Sequence, residues 1–200
     1  MNQFTIIEDC SPYYIRFTHP GIEDVIEYCK QCSPDTSDLQ RFRHHILPPD
    51  QVSEVVTKTP MSKLMPLYTT RVSLFLTSPG MYYQAHKDGT NHRFSINYTV
   101  SILDDKCVTS WYSDDDLKNY EIDTLGNRSR ECRGFDKTKH TPLKSMTAKP
   151  GECILFNTDI FHDWDNTQSS NVRIVLTLRI KQPLTGTTYF EDAKKLIFDQ

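Results

Sequence analysis

The sequence predicts a mainly β domain built as a sandwich or barrel, and three observations point there. Between residues 71 and 180 the chain carries short runs rich in β-branched and aromatic residues. Turn residues separate these runs. No stretch with helical periodicity lies between one run and the next, which disfavours a parallel sheet with helical crossovers.

The runs are Arg71–Thr77, Met81–His86, Arg93–Leu103, Val108–Tyr112, Cys153–Phe156 and Val172–Ile180. Upstream, Phe4–Ile7 and Tyr13–Phe17 also read as strands. An amphipathic helix follows Pro20-Gly21, its apolar series being Ile22, Val25, Ile26 and Cys29. Ser33 to Asp38 reads as a loop, Pro48-Pro49 breaks the chain, and Pro60 and Pro66 bracket an irregular stretch. The polar segment 113–149 interrupts the β pattern and reads as a solvated loop, or else as a lid over a binding site. Phe190, Ala193 and Ile197 share one side of a closing helix over 189–198. The chain therefore divides into an α+β support (1–69), a β core (70–180) with an insertion (113–149), and a tail (181–200), within a single domain.

Composition excludes little but orders the alternatives. Two hundred residues suffice for one domain with a real core. A net charge of −3 produces no field that would favour nucleic acid or an anionic membrane. No apolar run approaches the ~20 residues needed to cross a bilayer, and the first residues lack a signal-peptide pattern. The expectation is a cytoplasmic protein with its six cysteines as thiols. Cys29 and Cys32 form a lone CxxC without the second pair that zinc requires, so packing is the better reading.

Two segments carry chemistry. In Tyr82-Tyr83-Gln84-Ala85-His86-Lys87-Asp88-Gly89, strand alternation sends His86 and Asp88 to one side, and Gly89 lets the chain turn away. In Ile154–Trp164 a strand follows Lys149-Pro150-Gly151, and His162 closes the segment. Two imidazoles and one carboxylate on one face form a metal site with open positions, which suits ferrous iron and oxygen chemistry rather than structural zinc. Eleven residues after His162, Arg173 shares a strand face with Val175 and Thr177. An arginine pointing into a barrel is costly unless paired, and a bound dicarboxylate would pair it. Taken singly, each residue has an ordinary structural explanation: a turn aspartate, a core histidine, an edge-strand arginine. Their joint occurrence in this order is what makes a site.

In that combination the chain resembles the 2-oxoglutarate/iron(II)-dependent oxygenase superfamily, with HxD, a distal His and then Arg. Gly80, Tyr83, His86 and Asp88 resemble the pattern around the first ligands of prolyl-hydroxylase-like members. His86 with Asn91-His92-Arg93, and Phe161-His162 with Arg173-Ile174-Val175-Leu176, are similar to aspartyl/asparaginyl β-hydroxylase-like members. The resemblance implies a distorted double-stranded β-helix, a cupin-like jelly roll with flanking N-terminal and C-terminal helices. It implies Fe(II) held by His86, Asp88 and His162, the catalytic set, with 2-oxoglutarate as co-substrate, O2 as oxidant and ascorbate as an accessory reductant. Arg173 would anchor the co-substrate. Where many members place a Ser or Thr two residues later this chain has Val175, leaving Thr177, Tyr82 or Tyr83 to supply the hydroxyl.

Alternation adds Tyr82 and Gln84 on the face of His86, and Arg93, Ser95, Asn97 and Thr99 on one face of their strand, with Asn97 near the metal-bound end of the co-substrate. Trp111 and Tyr112 read as core. The expected activity is hydroxylation of a protein or peptide side chain, an amino acid or another small molecule, with 2-oxoglutarate going to succinate and CO2. Nucleic acid is the less favoured substrate and no membrane partner is expected. The alternatives are a cupin-like metalloenzyme that does not use 2-oxoglutarate, against which Arg173 speaks, and a non-catalytic jelly-roll binding module, against which the full ligand set speaks.

Overall fold

The computed structural model describes residues 3–37, 39, 43–63, 70–88, 93–101, 104–124, 129–180 and 189–199. The strands are β1 (Thr5–Cys10), β2 (Tyr14–Thr18), β3 (Arg43–Ile46), β4 (Thr70–Thr77), β5 (Tyr82–Asp88), β6 (Phe94–Ser101), β7 (Val108–Trp111), β8 (Glu121–Thr124), β9 (Ser129–Arg133), β10 (Lys144–Thr147), β11 (Cys153–Asn157), β12 (His162–Asp165) and β13 (Arg173–Ile180). The helices are α1 (Ile22–Cys32), α2 (Pro49–Val56), the single turn α3 (Asp114–Leu117) and α4 (Phe190–Phe198).

Two antiparallel sheets face one another. The larger has the order β1-β2-β11-β6-β13-β4-β3 and the smaller β10-β7-β12-β5-β9-β8. From β4 onward the chain crosses repeatedly between them, as a jelly roll does. The fold is therefore the mainly β double-stranded β-helix with flanking helices that the resemblance implied, and the sandwich or barrel that the strand pattern predicted.

The larger sheet is apolar on the outside. Val72, Leu74 and Leu76 of β4, Leu176 and Leu178 of β13, Ile96 and Tyr98 of β6, and Leu155 of β11 point outward. Val25, Ile26 and Cys29 of α1, Val52 and Val56 of α2, and Phe190, Ala193 and Ile197 of α4 cover them. Gly21 opens α1 in the left-handed region (φ 80), which a side chain would resist. Pro49 sits at the first position of α2, where its fixed φ is suited and its missing N–H costs nothing. The Pro48-Pro49 pair thus starts a helix rather than merely breaking the chain; Pro66 lies outside the described residues.

Inside the barrel, Trp111 stacks on Tyr14 with ring centroids 5.2 Å apart and packs with Phe156, Ile154 and Met146, filling one half. Trp111 is core, as expected. Asn166 closes one end, its Nδ2 donating to the carbonyls of Ser78 (3.0 Å) and Asn171 (2.9 Å) while its backbone pairs with Gly80 and Met81. This ties the β4–β5 turn to the β12–β13 loop.

The insertion is not the solvated loop expected. Ser113 caps α3 by accepting from the Asp116 amide, and β8 and β9 extend the smaller sheet from β5. Leu117, Cys132 and Phe135 pack with Ala85, Tyr112 and Phe161 on that sheet's outer face. Its charge hid its apolar anchors, which are spaced too widely for periodicity to reveal. Tyr112 accordingly packs outside the barrel. All six cysteines are free.

Candidate active site

A cavity of about 310 Å³ lies between the sheets. Four side chains of β13, Arg173, Val175, Thr177 and Arg179, line it in alternation. Ser95 and Asn97 line it from β6, and Tyr83, His86 and Asp88 from β5. His162 and Trp164 of β12, Thr109 of β7, Phe156 of β11, Phe75 of β4 and His44 of β3 complete most of the wall.

His86 and His162 occupy paired positions on β5 and β12, so their rings share a face with centroids 4.4 Å apart. Each Nδ1 faces a backbone carbonyl, His86 that of Gln84 at 3.0 Å and His162 that of Ile160 at 2.8 Å. A carbonyl only accepts, so each Nδ1 carries a proton, and a neutral ring in this tautomer leaves its lone pair on Nε2. Burial, reinforced by His86, pushes His162 down to about 3, so it stays neutral at physiological pH. Neutral imidazoles with free Nε2 atoms are the protonation state a metal requires.

Asp88 ends β5, and its amide donates to the Thr158 carbonyl at 3.1 Å. Its Oδ1 lies 3.5 Å from Arg179 Nη2. Among the described residues no three His, Cys, Asp or Glu side chains already stand close enough together to hold a metal ion.

Arg173 opens β13 beside the closed end of the barrel and is buried, with only 7% exposed. Its guanidinium lies 5.4 Å from the centroid of the Trp164 ring, and its Nε and Nη1 have no hydrogen-bond partner. The Cys107 thiol lies beside it; burial pushes that thiol's pKa up against the pull of the guanidinium. A buried guanidinium with open donors fits a carboxylate, and the donor set at His86, His162 and Asp88 fits a divalent metal.

The remaining sequence-derived residues separate. Tyr83 lines the pocket, its ring edge-on to His86 at 4.7 Å and its hydroxyl donating to Glu131 Oε1 at 2.5 Å. Asn97 lines the pocket and accepts from Ser95 Oγ at 3.2 Å. Thr177 also lines it, four residues along β13 from Arg173.

Tyr82 does not line it. Two steps along β12, from His162 to Trp164, oppose three steps of β5, from His86 to Tyr83, so a β-bulge reverses the alternation. Tyr82 is turned to the outer face, where its hydroxyl donates to Asp163 Oδ2 at 3.1 Å. Tyr112 donates to the same oxygen at 2.8 Å, and burial still leaves the Asp163 carboxyl above its ordinary range.

Four contributors went unnoticed in the sequence. Arg179 was legible by continuing the alternation of Arg173, Val175 and Thr177. Thr77 is the cross-strand partner of Arg173, and its buried Oγ1 has no hydrogen-bond partner. Thr109 reaches the pocket from the facing sheet, and His44 from an N-terminal strand that no motif marked.

No family model matches the chain, and no curated protein matches it in sequence. Solved structures do match in shape. EvdO2 from Micromonospora carbonacea var. aurantiaca superposes with a TM-score of 0.53 at 12% identity, over 96% of this chain and 98% of its own. The chain shares its fold with proteins that have been solved with 2-oxoglutarate bound. EvdO2 also has a structure complexed with 2-oxoglutarate. The epimerase SnoN, in complex with Fe3+, alpha ketoglutarate and nogalamycin RO, matches at 0.53 and 11% identity over 88% of each chain. HygX from Streptomyces hygroscopicus, with nickel, 2-oxoglutarate and hygromycin B bound, matches at 0.53 and 9% over 93% of this chain and 85% of its own. At these identities the likeness establishes architecture, and the chemistry must be argued from the pocket.

Proposed function

We propose that this chain is an iron(II)- and 2-oxoglutarate-dependent dioxygenase that hydroxylates a small molecule or an amino-acid side chain. The observation that carries the reading is Arg173. A buried guanidinium with Nε and Nη1 unpartnered, in the same cavity as two histidines with free Nε2 atoms, makes sense if a dicarboxylate spans them.

In this reading His86, Asp88 and His162 hold iron(II). Bound there with 2-oxoglutarate and dioxygen, iron supplies the oxidising power while the co-substrate goes to succinate and CO2. The protein's residues prepare the site. The carbonyls of Gln84 and Ile160 fix the tautomer and ring orientation of the two histidines. Arg173, steadied by the Trp164 ring, receives the distal carboxylate. Thr77 beside it and Thr109 opposite can share that carboxylate, the role that Val175 cannot fill. A cavity of about 310 Å³ is at the small end for binding sites, so little beyond the co-substrate and the reacting group is enclosed.

The test is anaerobic reconstitution with Fe(II) and 2-oxoglutarate. The reading expects a metal-to-ligand charge-transfer band, followed by succinate release on admitting oxygen. Folded protein that shows neither sinks it.

A further inference from the structure

The pocket has a second cationic pole. Arg179 lies six residues beyond Arg173 on the same strand face, about 20 Å further along the strand at roughly 3.3 Å per residue. Arg173 is at the closed end that Asn166 secures, and Arg179 is at the opposite end, beside Asp88. The Arg179 guanidinium lies 5.5 Å from the centroid of the Phe75 ring, which His44 stacks on at 4.7 Å. Its Nε is buried without a hydrogen-bond partner, while the side chain as a whole keeps 20% of its surface exposed. It is thus held on aromatic support, open to solvent and short of one acceptor.

Its charge partner is Asp88 Oδ1, at a loose 3.5 Å. If Asp88 serves the metal, as the proposed function requires, its single negative charge is shared between the metal and this guanidinium. The neighbouring carboxylates are committed: Asp163 accepts from the hydroxyls of Tyr82 and Tyr112, Glu131 accepts from the Tyr83 hydroxyl, and Asp159 pairs with Arg93. A half-buried guanidinium beside a metal cation, with an N–H unmet, creates a demand for an incoming oxyanion.

We propose that Arg179 is a specificity-determining residue at the pocket mouth, and that the substrate carries a carboxylate or phosphate group that it binds. The aromatic wall of Phe75 and His44 then flanks that group's carbon skeleton. This rests on the oxygenase reading, and it narrows the substrate to an acidic molecule presented from the end opposite Arg173.

The experiment is calorimetric titration of the protein loaded with nickel(II) and 2-oxoglutarate, using acetate and inorganic phosphate as minimal probes. The wild type is expected to bind at least one of them at a single site. Arg179→Met should weaken that binding by about tenfold or more, and Arg179→Lys should restore part of it. Urea unfolding of each variant verifies that it is folded. Uptake of nickel and 2-oxoglutarate without binding of either probe overturns this proposal alone, as does equal binding by Arg179→Met. If Arg179→Met loses 2-oxoglutarate affinity as severely as Arg173→Met does, Arg179 serves the co-substrate's own metal-proximal carboxylate, and the proposal is overturned. Failure of the wild type to take up nickel and 2-oxoglutarate overturns the oxygenase reading and this proposal with it.

Discussion

The two faces of the larger sheet were made by the same strands and obey opposite rules. Along β13, Leu176 and Leu178 face the helices, fully buried among aliphatic and aromatic neighbours. Arg173, Thr177 and Arg179 alternate with them into the cavity. On β6, Ile96 and Tyr98 face outward while Ser95 and Asn97 face inward. The outer face is where the sheet is stabilised. The inner face is left with unmet donors: Thr99 Oγ1, Arg173 Nε and Nη1, and Arg179 Nε are all buried without partners. Such groups cost free energy in the empty pocket and repay it on binding. The comparison teaches that the half of the interior left open by the Trp111 cluster is held ready for a ligand by a core that lies largely outside the barrel.

The largest expected effect falls on the outer face. Leu176→Ala removes a fully buried side chain from beneath the helices and should cost about 3 kcal/mol of unfolding free energy, read as a shift of the urea midpoint. Affinity for 2-oxoglutarate should hardly move. An equal loss from Thr177→Val would break the comparison.

Next comes Arg173→Met, whose profile should be the inverse. Losing the carboxylate's guanidinium should weaken 2-oxoglutarate binding about 100-fold, roughly 2.7 kcal/mol, measured by titrating the nickel-loaded protein. The ligand-free variant should be no less stable than the wild type, because an isolated buried charge has been exchanged for an apolar chain that can still contact Trp164. Destabilisation of the empty protein by more than about 1 kcal/mol would mean that Arg173 is structural.

How much of this was legible follows the same division. That His86, Asp88, His162 and Arg173 line one cavity was legible because rare residue types recurred at fixed strand positions. The strands β4, β6 and β13 themselves were legible from their β-branched and aromatic content. Tyr82 was misplaced because a bulge is set by how β5 and β12 pair, a tertiary event that leaves no local mark. β12 and β10 escaped notice because their four residues each are too few and too polar to show a pattern. The insertion was misread because Leu117, Cys132 and Phe135 become a cluster only when β9 pairs with β5. Arg179 needed only a longer reading of one strand, which shows that a motif can end the search too early.

A smaller effect concerns acid. His19 is buried on the outer side: its Nδ1 faces the Pro20 carbonyl at 2.9 Å, so its Nε2 accepts from the Tyr98 hydroxyl at 3.0 Å. Burial holds its pKa below the ordinary histidine value, as it does for His162. The unfolded chain takes up protons at these histidines before the folded one does. Stability is therefore full above about pH 6.5 and falls as pH drops through and below it, by up to about 1.4 kcal/mol per pH unit for each such group. Urea midpoints at pH 7 and pH 5 measure this. His19→Gln should lower stability at pH 7 yet flatten the acid slope, and an unchanged slope would exclude His19 as a contributor.

The smallest effect is the most discriminating. Thr99 is completely buried on the inner side of β6, and its Oγ1 has no hydrogen-bond partner. Thr99→Val keeps the shape and removes the stranded hydroxyl. On an ordinary core face, where a hydroxyl has its partner, this change costs about 1 kcal/mol. Here it should be neutral, or stabilising by up to about 1 kcal/mol, because nothing is lost but a desolvated donor. The nickel- and 2-oxoglutarate-loaded protein should reveal whether that hydroxyl has work to do. If the variant gains stability when empty and gives the gain back when loaded, the inner face keeps its polarity for the ligand. If the gain persists in both states, Thr99 lies beyond the ligand's reach, and the polar surface that matters is confined to Arg173, Thr77, Thr177 and Arg179.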